Sequence, residues 1–139
     1  MEYLVGALLA LGVGVFGTMV GFDRERGFYP VVLTVIAGYY ALFAVMAGAL
    51  DTMVLEVAIL CAFAAIAVIG FRTNLWLVAA ALLGHGVLDL LHPRLVANAG
   101  APSWWPMFCL TFDVVAAGYL AARLLPAKGS VAAVRRPAC

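Results

Sequence analysis

Two histidines and an aspartate fall within eight residues in "GHGVLDLLHP", positions 84–93. His85, Asp89 and His92 are spaced i, i+4, i+7, which on a helix puts all three on one face with neighbours in reach of each other. A second polar pair, Cys109 and Asp113 in "WWPMFCLTFDV", repeats the i, i+4 spacing, and Glu56 stands among apolar residues in "DTMVLEVAIL". Imidazoles and carboxylates in an apolar setting are ligands for zinc or iron and acid or base groups for catalysis. The two histidines lie about 10.5 Å apart along a helix axis, so Asp89 is the natural hub between them. The expected metal ligands are His85, Asp89, His92 and Asp113, with Glu56 or Asp113 as catalytic base. "Asp-x-x-His" is a shortened form of the Glu-x-x-His unit of di-iron bundles. No second copy of it occurs, so a single ion with a position left for water is the expectation.

These residues sit in a chain that has little else to offer water. Of 139 residues 67% are hydrophobic and 11% are charged, against about a quarter charged in a typical soluble domain. That composition implies an integral membrane protein. A net charge of +1 argues against nucleic acid as a partner. Cys61, Cys109 and Cys139 are far apart and odd in number, which suggests neither a disulfide framework nor a zinc ribbon.

Apolar runs near twenty residues long predict an all-α bundle of five transmembrane helices, at about 3–22, 29–50, 51–70, 75–92 and 106–125. They make one domain, 1–126, followed by a flexible basic tail, 127–139. The first run is read as a retained helix and not a signal peptide, because Glu2 replaces a basic n-region and no A-x-A site closes it. Asp51 is expected to cap the third span, and Pro93 to end the fourth. With the N-terminus outside, seven of the eight Lys and Arg residues fall on the cytoplasmic side and only Arg94 falls outside, as the positive-inside rule requires. Trp76, Trp104 and Trp105 then lie at span edges, where an interfacial belt forms. "DRERG" at 23–27 reads as a self-paired cytoplasmic turn, and "GVGVFG" at 12–17 as a close-packing helix surface.

This topology brings Glu56, His85, Asp89, His92, Cys109 and Asp113 to similar depth in the outer half of the bundle. Polar groups in a bilayer face the interior and one another, so one outward-facing pocket accounts for them, and the inner halves look featureless. The plainer alternatives are interhelical hydrogen bonds for His85, Asp89 and Asp113, an interfacial position for His92, headgroup contact for Glu56 and packing for Cys109. Of Tyr39 and Tyr40, one is expected in the core and the other near the pocket. Gly84 and Gly86 flank His85 and leave room beside its ring for helix packing or a macrocycle.

"GHGVLDLLHP" followed by "WWPMFCLTFDV" resembles a family of small, uncharacterised bacterial integral membrane proteins with H-x-x-x-D-x-x-H late in one span and C-x-x-x-D in the next. The matching residues here are His85, Asp89, His92, Cys109 and Asp113, mainly within 84–118; Pro93 stands where that family often has a further histidine. The resemblance implies a topology and a site but no reaction. In its chemistry the set also resembles membrane hydrolases of the ceramidase and adiponectin-receptor type, which hold zinc with three histidines but have seven spans. The expected function is a metal-dependent, hydrolase-like enzyme of the bacterial inner membrane acting on a lipid or small amphiphile, with a homo-oligomer as a further possibility. The alternatives are a proton or metal-ion transporter or sensor, and an accessory subunit ligating haem or pigment. The orientation has a direct test. A phosphatase reporter fused after Val96 is expected to be active and one fused after Thr73 silent; the reverse pattern overturns it.

Overall fold

The computed structural model describes residues 1–126, and the basic tail expected at 127–139 lies outside them. Within the described residues the chain is all helix: α1 (Glu2–Val20), α2 (Phe28–Met46), α3 (Leu50–Arg72), α4 (Leu75–Leu95) and α5 (Trp105–Leu124), with one turn of 3-10 helix at Phe22–Arg24. Each of the five is long and apolar enough to cross a membrane. At about 1.5 Å per residue they match the roughly 30 Å of a hydrocarbon core. The helices alternate in direction. One end of the bundle holds the N-terminus and the α2–α3 and α4–α5 connections, and the opposite end holds the α1–α2 and α3–α4 connections.

Packing runs α1 on α5, α5 on α4, α4 on α3 and α3 on α2, with α2 also touching α4. The side chains at this centre are buried Leu33, Tyr40, Val78, Leu82, Phe112 and Leu120. α1 reaches α5 through small residues, because its buried positions are Gly6, Ala10, Gly14 and Gly17. A Cβ on Gly6 would run into the Phe108 carbonyl and the Thr111 hydroxyl, and one on Gly14 would come within 2.9 Å of the Tyr119 ring. Gly12, in the same run, meets nothing. Within "GVGVFG", Gly14 thus presses against α5 and Gly17 against the Phe28 ring at the start of α2 of the same chain.

Three ends differ from the sequence expectation. α4 runs through Pro93 to Leu95. A proline near a C-terminus costs one hydrogen bond and no kink of the body; here it removes the N–H that would have bonded the Asp89 carbonyl. α3 begins at Leu50 with Ala49 before it and no side-chain cap, so Asp51 lies in the first turn and does not cap; the chain reverses there through Gly48 at φ 66°. Trp105 is buried against Tyr39, Phe43 and Phe108, whereas Trp76 and Trp104 are exposed at helix starts. Only the latter two have the exposure of belt residues.

"DRERG" is not self-paired. The buried Asp23 carboxylate takes the Arg123 guanidinium at 2.9 Å and the Thr18 hydroxyl at 2.7 Å, and Thr18 lies 2.8 Å from the Tyr119 hydroxyl. Arg26 donates to the carbonyls of Phe71 and Thr73, which end α3 with no helical donor of their own. The turn therefore ties α1 to α5 and α2 to α3. Gly6→Ala is expected to lower stability by about 1–3 kcal/mol through overpacking, while Gly12→Ala is expected to leave it unchanged or raised. Denaturant titration of the two variants in detergent reads the difference; equal effects would contradict the packing described.

Candidate metal centre

His85 sits ten residues from either end of α4, and Asp113 eight residues into α5. Both therefore lie near mid-bundle. Gly86 makes the approach possible: a Cβ there would lie 3.3 Å from Leu110 and 3.4 Å from Asp113, so the space beside the histidine on that side is taken by α5. Gly84 faces open space on the other side. His85 Nδ1 donates to Asp113 Oδ2 at 2.7 Å, and Asp89 Oδ2 lies 3.3 Å from the same nitrogen. The Phe63 ring meets the imidazole edge-on at 4.9 Å. Cys109, one turn before Asp113, completes the group. His85, Asp89, Cys109 and Asp113 each present one ligand atom, all within 4.8 Å of one another, and all four are buried.

The hydrogen-bond inventory here is lopsided. Neither oxygen of Asp89 nor the Oδ1 of Asp113 has a well-formed hydrogen bond, and the Tyr40 hydroxyl and Cys109 thiol beside Asp89 are the donors nearest to it. A buried carboxylate needs a donor, a proton or a cation, since burying the bare charge is far more costly than burying a satisfied polar group. Three weakly partnered acceptors beside an imidazole and a thiol can form the donor set of a divalent ion. This buried His85, Asp89, Cys109 and Asp113 group can hold a metal ion.

The six polar residues expected at one depth occupy two levels. His92 is turned away from the central group: its Nε2 donates to Glu56 Oε1 at 2.9 Å, and its ring stacks on Tyr40 with centroids 3.7 Å apart and planes 15° from parallel. Asn98, in the loop after α4, donates to the same Glu56 oxygen and to the Tyr40 carbonyl, each at 2.9 Å. Glu56 and His92 thus form a second, satisfied layer toward the N-terminal end of the bundle, and Asp89 stands between the layers. The i, i+7 offset of the two histidines carries them to separate partners. Tyr40 is the tyrosine that reaches the polar residues; Tyr39, on the next helical position, faces Trp105.

The opposite half also carries polar groups, contrary to the sequence expectation: Thr18, Asp23, Tyr119 and Arg123 form the network that closes that end. Sequence reasoning assigned Asn98 and Arg123 no site role. An asparagine in a loop and an arginine in a last helical turn carry no local mark of a buried carboxylate on another helix. Cys109 did carry one, its i, i+4 offset from Asp113. Comparison with protein families, with curated proteins and with solved structures finds no match to this chain, so the site is read from its own geometry.

Glu56 and His92 are both almost fully buried, and removing one partner of such a pair strands the other. His92→Leu is expected to cost about 3–5 kcal/mol, and adding Glu56→Gln in the same chain to recover a large part of it. Denaturant titration of both single variants and the double variant checks this; strictly additive losses would contradict the pairing.

Proposed function

We propose that this chain is a membrane-embedded, metal-dependent enzyme, hydrolase-like, that acts on a lipid or small amphiphile. The observation that supports it most is the set of three weakly partnered carboxylate oxygens beside His85 and Cys109 in an apolar bundle. The Asp89 carboxylate and the Cys109 thiolate would balance the charge of a divalent cation held together with a neutral imidazole, which lowers the cost of charge in lipid. A mixed sulfur, nitrogen and oxygen donor set favours zinc, with iron the runner-up. The proposed setting is a bacterial inner membrane, with the N-terminus outside and the Glu56–His92 layer on the outer side.

A catalytic ion needs one position open to water. His85, through Nε2 while its Nδ1–H stays on Asp113, would serve as a ligand with Asp89 and Cys109, and Asp113 would serve as base, because one of its oxygens is held by His85 and the other is free. A bound ion would supply Lewis acidity, lowering the pKa of water and polarising a carbonyl or phosphoryl oxygen. Asp113 takes the proton of the attacking water as the water oxygen bonds to the carbonyl carbon or phosphorus. The bond to the leaving oxygen then breaks, and Asp113 returns the proton to it. Glu56 and His92 support the centre from the next layer through Tyr40.

The second reading, a proton or metal-ion transporter, draws support from the Thr18–Asp23–Tyr119–Arg123 network at the far end. Between that network and Asp113, however, α5 turns the buried apolar Ala116, Ala117 and Leu120 inward, and a relay has no polar step there.

Metal analysis of chain purified without chelator is expected to find about one zinc or iron per chain. His85→Ala and Asp89→Asn are expected to lose it. Asp113→Asn is expected to keep the metal and to slow cleavage of a fluorogenic long-chain acyl ester by about 10²- to 10⁴-fold, the usual worth of a general base. A metal-free unmodified chain would overturn the proposal.

A further inference from the structure

The central group is closed to water but not to lipid on every side. α1 leans on α5 and leaves a gap toward α2. A cavity of about 490 Å³ occupies it, lined by Leu9 and Val13 of α1, Ile36 of α2, and Cys109 and Phe112 of α5. That volume falls among those of ligand sites, about 300–1,000 Å³. The cavity is long and upright: along α2 it runs from Val31 to Tyr39, about 12 Å of helix rise. Its walls are almost wholly apolar, and the rings of Trp105 and Tyr39 meet at 4.9 Å at its end nearest the N-terminus. Cys109 belongs to this wall and to the metal-binding group at once.

We propose that this slot holds the hydrocarbon tail of a single-chain amphiphile and delivers its reacting bond to the metal centre past Cys109. The inference rests on the enzymatic reading and names its substrate class. The tail lies parallel to the helices, running from the level of Cys109 down toward Val31, while the polar end points up toward Trp105 and Tyr39. Access is lateral, from the bilayer, so the substrate never has to leave lipid and the buried carboxylates are never opened to bulk water. The slot is a single file between α1 and α2, which suits one chain; the neighbouring apolar cavity of about 390 Å³, which shares Val31 and Val35, lies on the α3 side of α2 and includes none of the metal-binding residues.

The test uses the full chain in phosphatidylcholine nanodiscs, irradiated with a lysophosphatidylcholine carrying a diazirine in its tail, or with a two-chain phosphatidylcholine carrying the same group. The expected result is single-chain label concentrated on Leu9, Val13, Ile36 and Phe112, several-fold above lipid-facing Val5 and Leu42. Excess unlabelled lysophosphatidylcholine is expected to compete it away, and Val13→Trp and Ile36→Trp each to reduce it several-fold. Label spread evenly over lipid-facing residues, equal groove labelling by the two-chain probe, or full labelling in both tryptophan variants would overturn the inference. Metal content read on the same samples separates the two claims: metal without groove label refutes the slot alone, whereas groove label without metal refutes the metal centre and leaves the slot standing.

Discussion

Two aspartates from neighbouring helices are buried side by side in the middle of an apolar bundle, with one imidazole between them and too few donors for their oxygens. Like charges this close in a low-dielectric interior repel strongly, and neither can be left bare. Every packing feature around them serves to hold that arrangement. Gly86 lets α5 come close, Phe63 meets the imidazole edge-on, and the hydrogen-bonded layer of Glu56, His92 and Asn98, stacked on the Tyr40 ring, caps it. A divalent cation would resolve the repulsion and supply the missing partner in one step.

The rest of the fold clamps this centre from both ends. On one side the loop after α4 is drawn down onto α2, where Gly100 packs against the Phe43 carbonyl too closely to admit a side chain. On the other, Asp23 and Arg26 of the α1–α2 turn reach α5 and the end of α3. Polar residues in both connecting regions, Asn98 in one and Asp23 and Arg26 in the other, thus act as fasteners between helices, while the helix faces stay free for lipid and for close packing.

Much of this was legible in the sequence. Twenty-residue apolar runs define spans because a bilayer has a fixed thickness, and a carboxylate inside such a run must turn inward, so Glu56, Asp89 and Asp113 marked the interior before any contact was known. What was not legible depends on where helices end and how they rotate. Pro93 looked like a stop, yet a proline in a last turn is tolerated, and carrying α4 on to Leu95 moves His85 from the outer half to the middle. The shared face of His85, Asp89 and His92 was correct as helix geometry; which neighbour each meets depends on the rotation of α3 and α5, and no periodicity within α4 encodes it. Cys109 looked like packing because a thiol is at home in a core; only its closeness to His85, Asp89 and Asp113 makes it a candidate ligand.

The central claim is that a metal ion sits among His85, Asp89, Cys109 and Asp113. X-ray absorption at the metal edge of the purified, reconstituted chain tests it most directly. One sulfur scatterer at about 2.3 Å together with nitrogen and oxygen scatterers at about 2.0–2.2 Å is the predicted shell, with the sulfur lost in Cys109→Ser. A bound metal surrounded by oxygen and nitrogen alone in the unmodified chain, or a shell unchanged by Cys109→Ser, would contradict it.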